Sequence, residues 1–152
     1  NALLAEPSFM NARILVLEDT AELQCASANV VQLLTKRTPP AVTMADLVRI
    51  SLRLRPDRIV IGEVRDGAAL DVLKAWNTGH PGGLLSVHAN SAADALVRLE
   101  DLCAEAAPVS RRTIASAIDL VVFIARAPAG AGRRVEAILE VKDVNGGIYV
   151  LG

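Results

Sequence analysis

Three predicted strands end in side chains that could do chemistry. The groups that follow these strands are Glu18 and Asp19, then Gly62 and Glu63, and finally His88. If the strands are parallel, their carboxyl ends meet at one edge of the sheet, where ligands bind in open α/β folds. Carboxylates there can hold a hydrated Mg²⁺ and orient a water, and a histidine or arginine can respond to phosphate charge. The pattern therefore suits attack of an activated water on a metal-bound phosphate.

Each of these residues also has an ordinary structural explanation. Acidic side chains after a strand often cap the next helix, and Asp66 is predicted to do so. His80, which precedes Pro81, could serve only to shape its loop. A single histidine such as His88 is more often a hydrogen-bonded structural residue than a catalytic one. Only the combination at three successive strands favours chemistry.

The elements that would position these groups alternate between strands and amphipathic helices. Strands are predicted at 13–17, 59–61, 84–88 and 120–124, and helices after Thr43, Asp66, Ser91 and Ser110. The predicted buried helix positions are Met44, Leu47, Val48 and Ser51, then Ala69, Val72, Leu73 and Trp76, then Ala95, Leu96, Leu99, Leu102, Cys103 and Ala106. This alternation predicts an α/β fold whose mostly parallel sheet is covered by helices on both faces.

The carboxyl-terminal segment has a different pattern. Two strand-like runs within 134–152 flank Asn145-Gly146-Gly147, a strong hairpin signal. We therefore expect an antiparallel β-hairpin added to the parallel sheet. The stretch 127–132, A-P-A-G-A-G, predicts a turn and not a domain boundary.

Composition and charge argue against several classes of protein. The 152 residues are 52% hydrophobic and carry a formal net charge of −1, which provides no electrostatic footprint for nucleic acid or an anionic membrane. No apolar run approaches the ~20 residues that span a bilayer. Cys25 and Cys103 lack a C-x-x-C partner, so a zinc site is not expected. Both are interpreted as small core residues, with a disulfide as the weaker alternative.

Three segments resemble motifs of the secretion and conjugation traffic ATPases, the hexameric RecA-like NTPases of type IV secretion, type II secretion and type IV pili. The segments are L-E-D-T-A-E-L at 17–23, L-R-P-D-R-I-V-I-G-E-V-R-D at 54–66 and T-G-H-P-G-G-L-L-S-V-H-A-N-S at 78–91, in the family's order. The resemblance covers roughly residues 1–126 and is greatest to the TrbB-type ATPases of conjugal transfer. It implies a RecA-like P-loop NTPase fold, with ATP and Mg²⁺ as cofactors.

The resemblance also implies roles for the acidic residues. Gly62 and Glu63 fall in the family's atypical Walker B motif, whose carboxylate is expected near Mg²⁺ and its water. Glu18, Asp19 and Glu22 fall in the family's acidic motif. Of these three, Glu18 is predicted to polarise the attacking water.

Basic residues are assigned in the same way. His88 is expected to contact or sense the γ-phosphate, and His80 to support the same loop. Arg53, Arg55 and Arg65 are candidates for phosphate contact or for bridging neighbouring subunits, because the guanidinium fork suits both tasks. For each arginine, a surface or structural ion pair remains an equally open explanation.

The phosphate-binding motif of the family is not found in these residues. No Gly-Lys-Ser/Thr sequence occurs, so the loop G-x-x-x-x-G-K-[ST] is missing. Residues 1–6, N-A-L-L-A-E, resemble the helix that follows this loop. We therefore expect residues 1–152 to be the C-terminal RecA-like ATPase domain without its first, P-loop strand. Such a chain is expected to bind ATP weakly and to self-associate through unpaired strand edges.

The leading hypothesis is ATP hydrolysis by a subunit of a homo-hexameric ring that powers conjugal DNA transfer or type IV secretion. Its expected partners are inner-membrane secretion or conjugation components, reached from the cytoplasm by peripheral association and without direct nucleic-acid binding. One alternative is a non-catalytic module for ring assembly or partner docking. Another is a type IV pilus or type II secretion motor.

Overall fold

The computed structural model describes residues 1–127 and 132–152, which form a parallel sheet, an antiparallel sheet and the helices that join them. The strands are β1 Ile14–Glu18, β2 Val30–Leu34, β3 Arg58–Ile61, β4 Leu84–Leu85, β5 Leu120–Arg126, β6 Arg133–Asn145 and β7 Ile148–Leu151. The α-helices are α1 Pro7–Met10, α2 Met44–Ser51, α3 Ala68–Asn77, α4 Ala92–Ala106 and α5 Arg111–Ala115, and 3₁₀ turns cover Leu3–Ala5 and Leu52–Leu54.

The first four strands form one parallel sheet in the order β2-β1-β3-β4. Leu15 lies opposite Val31 on one side and Ile59 on the other, which fixes the register. This sheet confirms the predicted α/β fold. The sequence analysis missed β2, since this edge strand is only partly buried and lacks the continuous apolar character of β1 and β3.

Both faces of the parallel sheet are covered, as predicted. Leu15 and Leu17 of β1 belong to the larger apolar cluster, which contains the buried sides of α2, α3 and α4. Ile14 and Val16, which point the opposite way because side chains alternate along a strand, pack with Phe9 of α1. A strand buried on both faces must be apolar at every position, and the first four residues of β1 are.

Local side-chain hydrogen bonds set the beginnings of the helices. Thr43 Oγ1 accepts from Asp46 N at 3.2 Å and Asp46 Oδ2 accepts from Thr43 N at 3.0 Å, which is the predicted capping box of α2. Ser91 Oγ accepts from Asp94 N at 3.0 Å and caps α4 through this single bond. Both helix starts are therefore encoded by residues three apart.

Two predictions about helices need adjustment. Asp66 Oδ1 does accept from Ala68 N at 2.9 Å, but Gly67 occupies the position directly before α3. Ala106 is exposed and the prediction that it is buried was wrong. It is the last residue of α4, where the helix passes beyond the sheet-facing residues that end at Cys103.

The carboxyl-terminal hairpin is confirmed, with Gly146 and Gly147 at φ of 57° and 80°, as the tight hairpin turn requires. It does not extend the parallel sheet. Strand β5 pairs antiparallel with β6, so β5, β6 and β7 form a separate three-stranded sheet. Most of the turn predicted at 127–132 lies outside the described residues.

The strand predicted at 84–88 is shorter than expected. Only Leu84 and Leu85 pair with β3, because β3 itself ends at Ile61. Within the described ranges, no helix combines the length and the apolar composition that crossing a bilayer requires.

Candidate active site

Glu63 is the centre of the candidate site. Its Oε1 lies 3.1 Å from His88 Nε2 and its Oε2 lies 2.5 Å from Arg65 Nη2. The three side chains follow the carboxyl ends of neighbouring parallel strands, so the structure brings Glu63 and His88 together as the sequence predicted. His88 is 93% exposed and Arg65 is 61% exposed, so water weakens both contacts with Glu63.

Hydrogen bonds beyond the two strands hold this constellation in place. Val64 N donates to Ser86 O at 3.0 Å, and Ser86 Oγ donates to Gly62 O at 2.5 Å. These bonds continue the pairing of β3 with β4 after the ladder has ended. They place Glu63, which follows Gly62, and His88, two residues after Ser86, on the same edge.

Glu18 lies beneath this edge and not at its surface. The residue is only 2% exposed, and its Oε1 accepts from Glu22 N at 3.0 Å and Leu23 N at 2.9 Å. Its Oε2 is buried and has no hydrogen-bond partner among the described residues. The carboxylate therefore holds the turn that follows β1, and it cannot meet solvent water without moving.

Gly62 makes room for Glu18. A Cβ at position 62 would lie 2.9 Å from Glu18 Cγ, closer than side chains pack. Gly62 N donates to Leu17 O at 2.9 Å, which brings the backbone directly alongside β1. Glycine is thus needed at position 62 because the backbone there packs directly against β1 and Glu18. This packing is a steric reason for a glycine at the predicted site residue Gly62.

The remaining acidic residues lie on the same edge. Asp19 Oδ1 accepts from Thr35 Oγ1 at 2.7 Å, which ties the ends of β1 and β2 together, and Glu22 is exposed. Glu63, by its hydrogen bond and its charge, raises the pKa of Arg65 above its ordinary value. The charges of Asp19 and Glu22 contribute smaller effects on that pKa. Arg65 is therefore within electrostatic reach of all three carboxylates.

Two clefts open on either side of Glu63 and Arg65. The smaller, of about 280 Å³, is lined by Glu63, Val64, Arg65, Val87, His88 and Arg98. The larger, of about 500 Å³, is lined by residues that include Asp19, Thr35, Lys36, Arg37, Glu63, Arg65 and Asp66. Sequence analysis missed Arg98, since a polar position on an amphipathic helix carries no signal that it borders a site.

The structure does not bring His80, Arg53 or Arg55 to this edge. Helix α3 runs back across the sheet, so the loop that contains His80 precedes β4 and lies at the amino ends of the strands. His80 Nδ1 lies 3.3 Å from Ala75 O, at the end of α3. Arg53 and Arg55 precede β3 and are exposed at that same opposite end. Phosphate contact beside Glu63 in the same chain is therefore incompatible with their placement.

The side chains at the carboxyl edge of the parallel sheet fit a hydrated Mg²⁺ ion. In the described part of the chain, no group of three or more His, Cys, Asp or Glu side chains is arranged to hold a metal. Mg²⁺ rarely needs such a cage, because it keeps several waters and is held by one or two carboxylates together with substrate phosphates. Glu63, which borders both clefts, fits that role.

Comparison with known proteins identifies the family of this chain. A family model described as "Type II/IV secretion system protein" matches residues 1–138. The chain is 49% identical over 152 residues to the conjugal transfer protein TrbB of Rhizobium radiobacter, covering 98% of this chain and 46% of that protein. It is 54% identical over 138 residues to a probable conjugal transfer protein TrbB of Sinorhizobium fredii, covering 90% of this chain and 41% of that protein.

A solved structure is similar over most of the fold. The crystal structure of the VirB11 ATPase from the Brucella suis type IV secretion system, in complex with sulphate, has a TM-score of 0.75 and 29% identity. The similarity covers 86% of this chain and 40% of that one. The chain thus spans less than half the length of each of these three relatives.

Proposed function

Because this chain belongs to the Type II/IV secretion system family of ATPases, within its TrbB-like conjugal transfer branch, we propose that it contributes the hydrolytic edge of a conjugal-transfer ATPase. The observation that carries the proposal is the position of Glu63, held between Arg65 and His88 where parallel strands end. The cofactors proposed are ATP and Mg²⁺.

Glu63 is proposed to orient the attacking water and to hold Mg²⁺ through water. Its carboxylate is 21% exposed, enough to reach a ligand in either cleft while hydrogen bonds fix its backbone. Bound Mg²⁺ would neutralise charge that develops on the phosphate oxygens. The chain's own contribution is a carboxylate whose position is set before substrate arrives.

Arg65 and His88 are proposed to respond to the γ-phosphate. Both now share the carboxylate of Glu63, and both are largely exposed, so their contacts with it are weak. An incoming phosphate offers each of them a second anion. Release of Glu63 from its two partners would then coincide with phosphate binding.

Glu18 is proposed to position the acidic turn and not to activate water directly. Its two accepted hydrogen bonds come from the turn that contains Glu22, and its carboxylate is buried. Asp19 and Glu22, both exposed on that turn, are the carboxylates available to solvent. This assigns a structural duty to the residue that the sequence alone suggested as the water-polarising one.

Assembly into a homo-hexameric ring and docking to inner-membrane secretion components are proposed on family grounds. The position of Arg53 and Arg55, at the end of the sheet opposite Glu63, supports the proposed ring assembly. Arginines that are exposed at the edge opposite Glu63 are suited to a boundary with a neighbouring subunit. For a chain without G-K-[ST], weak binding of Mg·ATP is expected. Calorimetry that finds micromolar affinity for the 152-residue chain would contradict this.

Hydrolysis tests the proposal in a chain extended at its amino end by a P-loop strand and its G-x-x-x-x-G-K-[ST] loop, here called the loop-extended chain. Glu63→Gln is expected to lower the turnover of ATP by about 10²–10⁴-fold, the usual contribution of a catalytic carboxylate. The matched control is Glu105→Gln, an exposed carboxylate of α4. Circular dichroism checks that both variants are folded. Turnover in Glu63→Gln equal to that of the control would refute the assignment.

A further inference from the structure

Arg98 borders the smaller cleft although no motif contains it. It lies on α4, seven residues after the capping Ser91, or about 10 Å along the helix axis. Side chains of a helix lean toward its amino end. This lean allows Arg98 to reach the cleft, a space of about 280 Å³ that it lines together with His88 and Glu63.

The charges around this cleft do not balance. Among the described residues, Glu63 is the one carboxylate that lines it, and Arg65 and His88 each already contact one of its oxygens. Arg98 is the second arginine in the lining. Counted over Glu63, Arg65 and Arg98 alone, the side chains that line the cleft carry a surplus of one positive charge. A partly enclosed space with a spare guanidinium favours an anion.

The ordinary explanation for Arg98 would be an ion pair along its own helix. Asp94 and Asp101 lie four residues before and three residues after it, at the spacings that allow such pairs. Neither pair forms within the described residues, where Arg98 has no ion-pair partner. The carboxylate Glu100, on the same helix, binds Arg111 instead at 2.9 Å.

We propose that Arg98 is a phosphate-contacting residue, which binds the terminal phosphate of the nucleoside triphosphate in the cleft beside Glu63. This inference rests on the proposed function and adds a residue to it. Planar guanidinium donors match phosphate oxygens two at a time. Arg98 offers the phosphate a guanidinium that no carboxylate of the described residues engages, whereas Arg65 and His88 already share Glu63.

The test is a titration of the 152-residue chain with inorganic tripolyphosphate, followed by NMR of the His88 ring and arginine side-chain N–H signals. Saturable shifts of both groups are expected in the wild type. Arg98→Gln should weaken binding about tenfold, the effect of one charge-assisted hydrogen-bonding group. Arg98→Lys should recover part of the affinity, since it keeps the charge but not the fork. The matched control is Arg112→Gln, an exposed arginine on α5.

The outcomes separate this inference from the function on which it rests. Glu63→Gln frees Arg65 and His88, so it should bind tripolyphosphate at least as tightly as wild type while hydrolysis in the loop-extended chain is lost. If Arg98→Gln binds as tightly as Arg112→Gln, or the wild type shows no saturable shifts at His88, the role of Arg98 is refuted. If Glu63→Gln retains hydrolysis, the proposed function fails, whatever the titration of Arg98→Gln shows.

Discussion

Replacing Glu18 separates its hydrogen bonds from its charge. Glu18→Ala leaves Glu22 N and Leu23 N without their acceptor. Hydrogen bonds to a charged group contribute about 1.5–3 kcal/mol each, so the loss of two amounts to about 3–6 kcal/mol. Removing a buried carboxylate whose Oε2 has no partner among the described residues recovers several kcal/mol of desolvation. We expect a net destabilisation of about 1–3 kcal/mol.

Glu18→Gln keeps the acceptor and removes the charge. Its side-chain carbonyl can occupy the position of Oε1, while its amide is buried where Oε2 had no partner. These two effects oppose each other, so we expect the free energy of unfolding of Glu18→Gln to lie within about 1 kcal/mol of the wild-type value. Urea unfolding is followed by the fluorescence of Trp76, the one tryptophan of the chain. For Ala, a loss of 2 kcal/mol lowers the midpoint by about 1 M at a typical slope of about 2 kcal/mol/M.

The same pair of variants decides what Glu18 does in hydrolysis. If Glu18 only positions the turn, Glu18→Gln in the loop-extended chain keeps turnover within a few-fold of wild type. Loss of more than about 100-fold at unchanged stability would instead assign general-base work to Glu18. Equal destabilisation by Gln and Ala would show that the charge holds the turn. An unchanged midpoint in Glu18→Ala would refute the hydrogen-bond argument.

Thr43→Ala removes the capping hydroxyl of α2 and should lower the free energy of unfolding by about 1 kcal/mol; an unchanged urea midpoint would contradict this. Gly83→Ala would place a Cβ 2.3 Å from Trp76 Nε1, so we expect about 1–3 kcal/mol of destabilisation and an altered tryptophan fluorescence. Unchanged stability and unchanged fluorescence would show that the loop moves aside without cost. Burial raises the pKa of Cys103 to about 11, so at pH 8 iodoacetamide should modify the half-buried Cys25 faster; equal rates in the folded chain would argue otherwise. Above about pH 9 the unfolded chain loses the Cys103 proton while the folded chain keeps it. The free energy of unfolding should therefore fall as the pH rises from about 9 to about 11.

Local patterns in the sequence were sufficient for the elements that are stabilised locally or buried on both faces. The continuous apolar runs predicted β1 and β3, since a strand covered on both faces has no polar side. The capping residues Thr43 and Ser91 marked the beginnings of two helices. Gly146 and Gly147 predicted the hairpin, because adjacent positive φ angles favour glycine.

Tertiary structure decided which candidate residues meet. Side chains that follow parallel strands converge at one edge, and this held for Glu63 and His88. His80 lies in a motif with His88, yet the direction of α3 places it at the opposite end of the sheet. Spacing along the chain records nothing of that direction.

By itself, then, the sequence determined the α/β fold and its family and predicted Glu63 as a site residue, because these are written in short apolar runs and contiguous motifs. Only the tertiary structure showed that Glu18 is buried under its own turn and that Arg98 borders the cleft. Burial and electrostatic surroundings arise from elements distant in sequence, so no local pattern contains them.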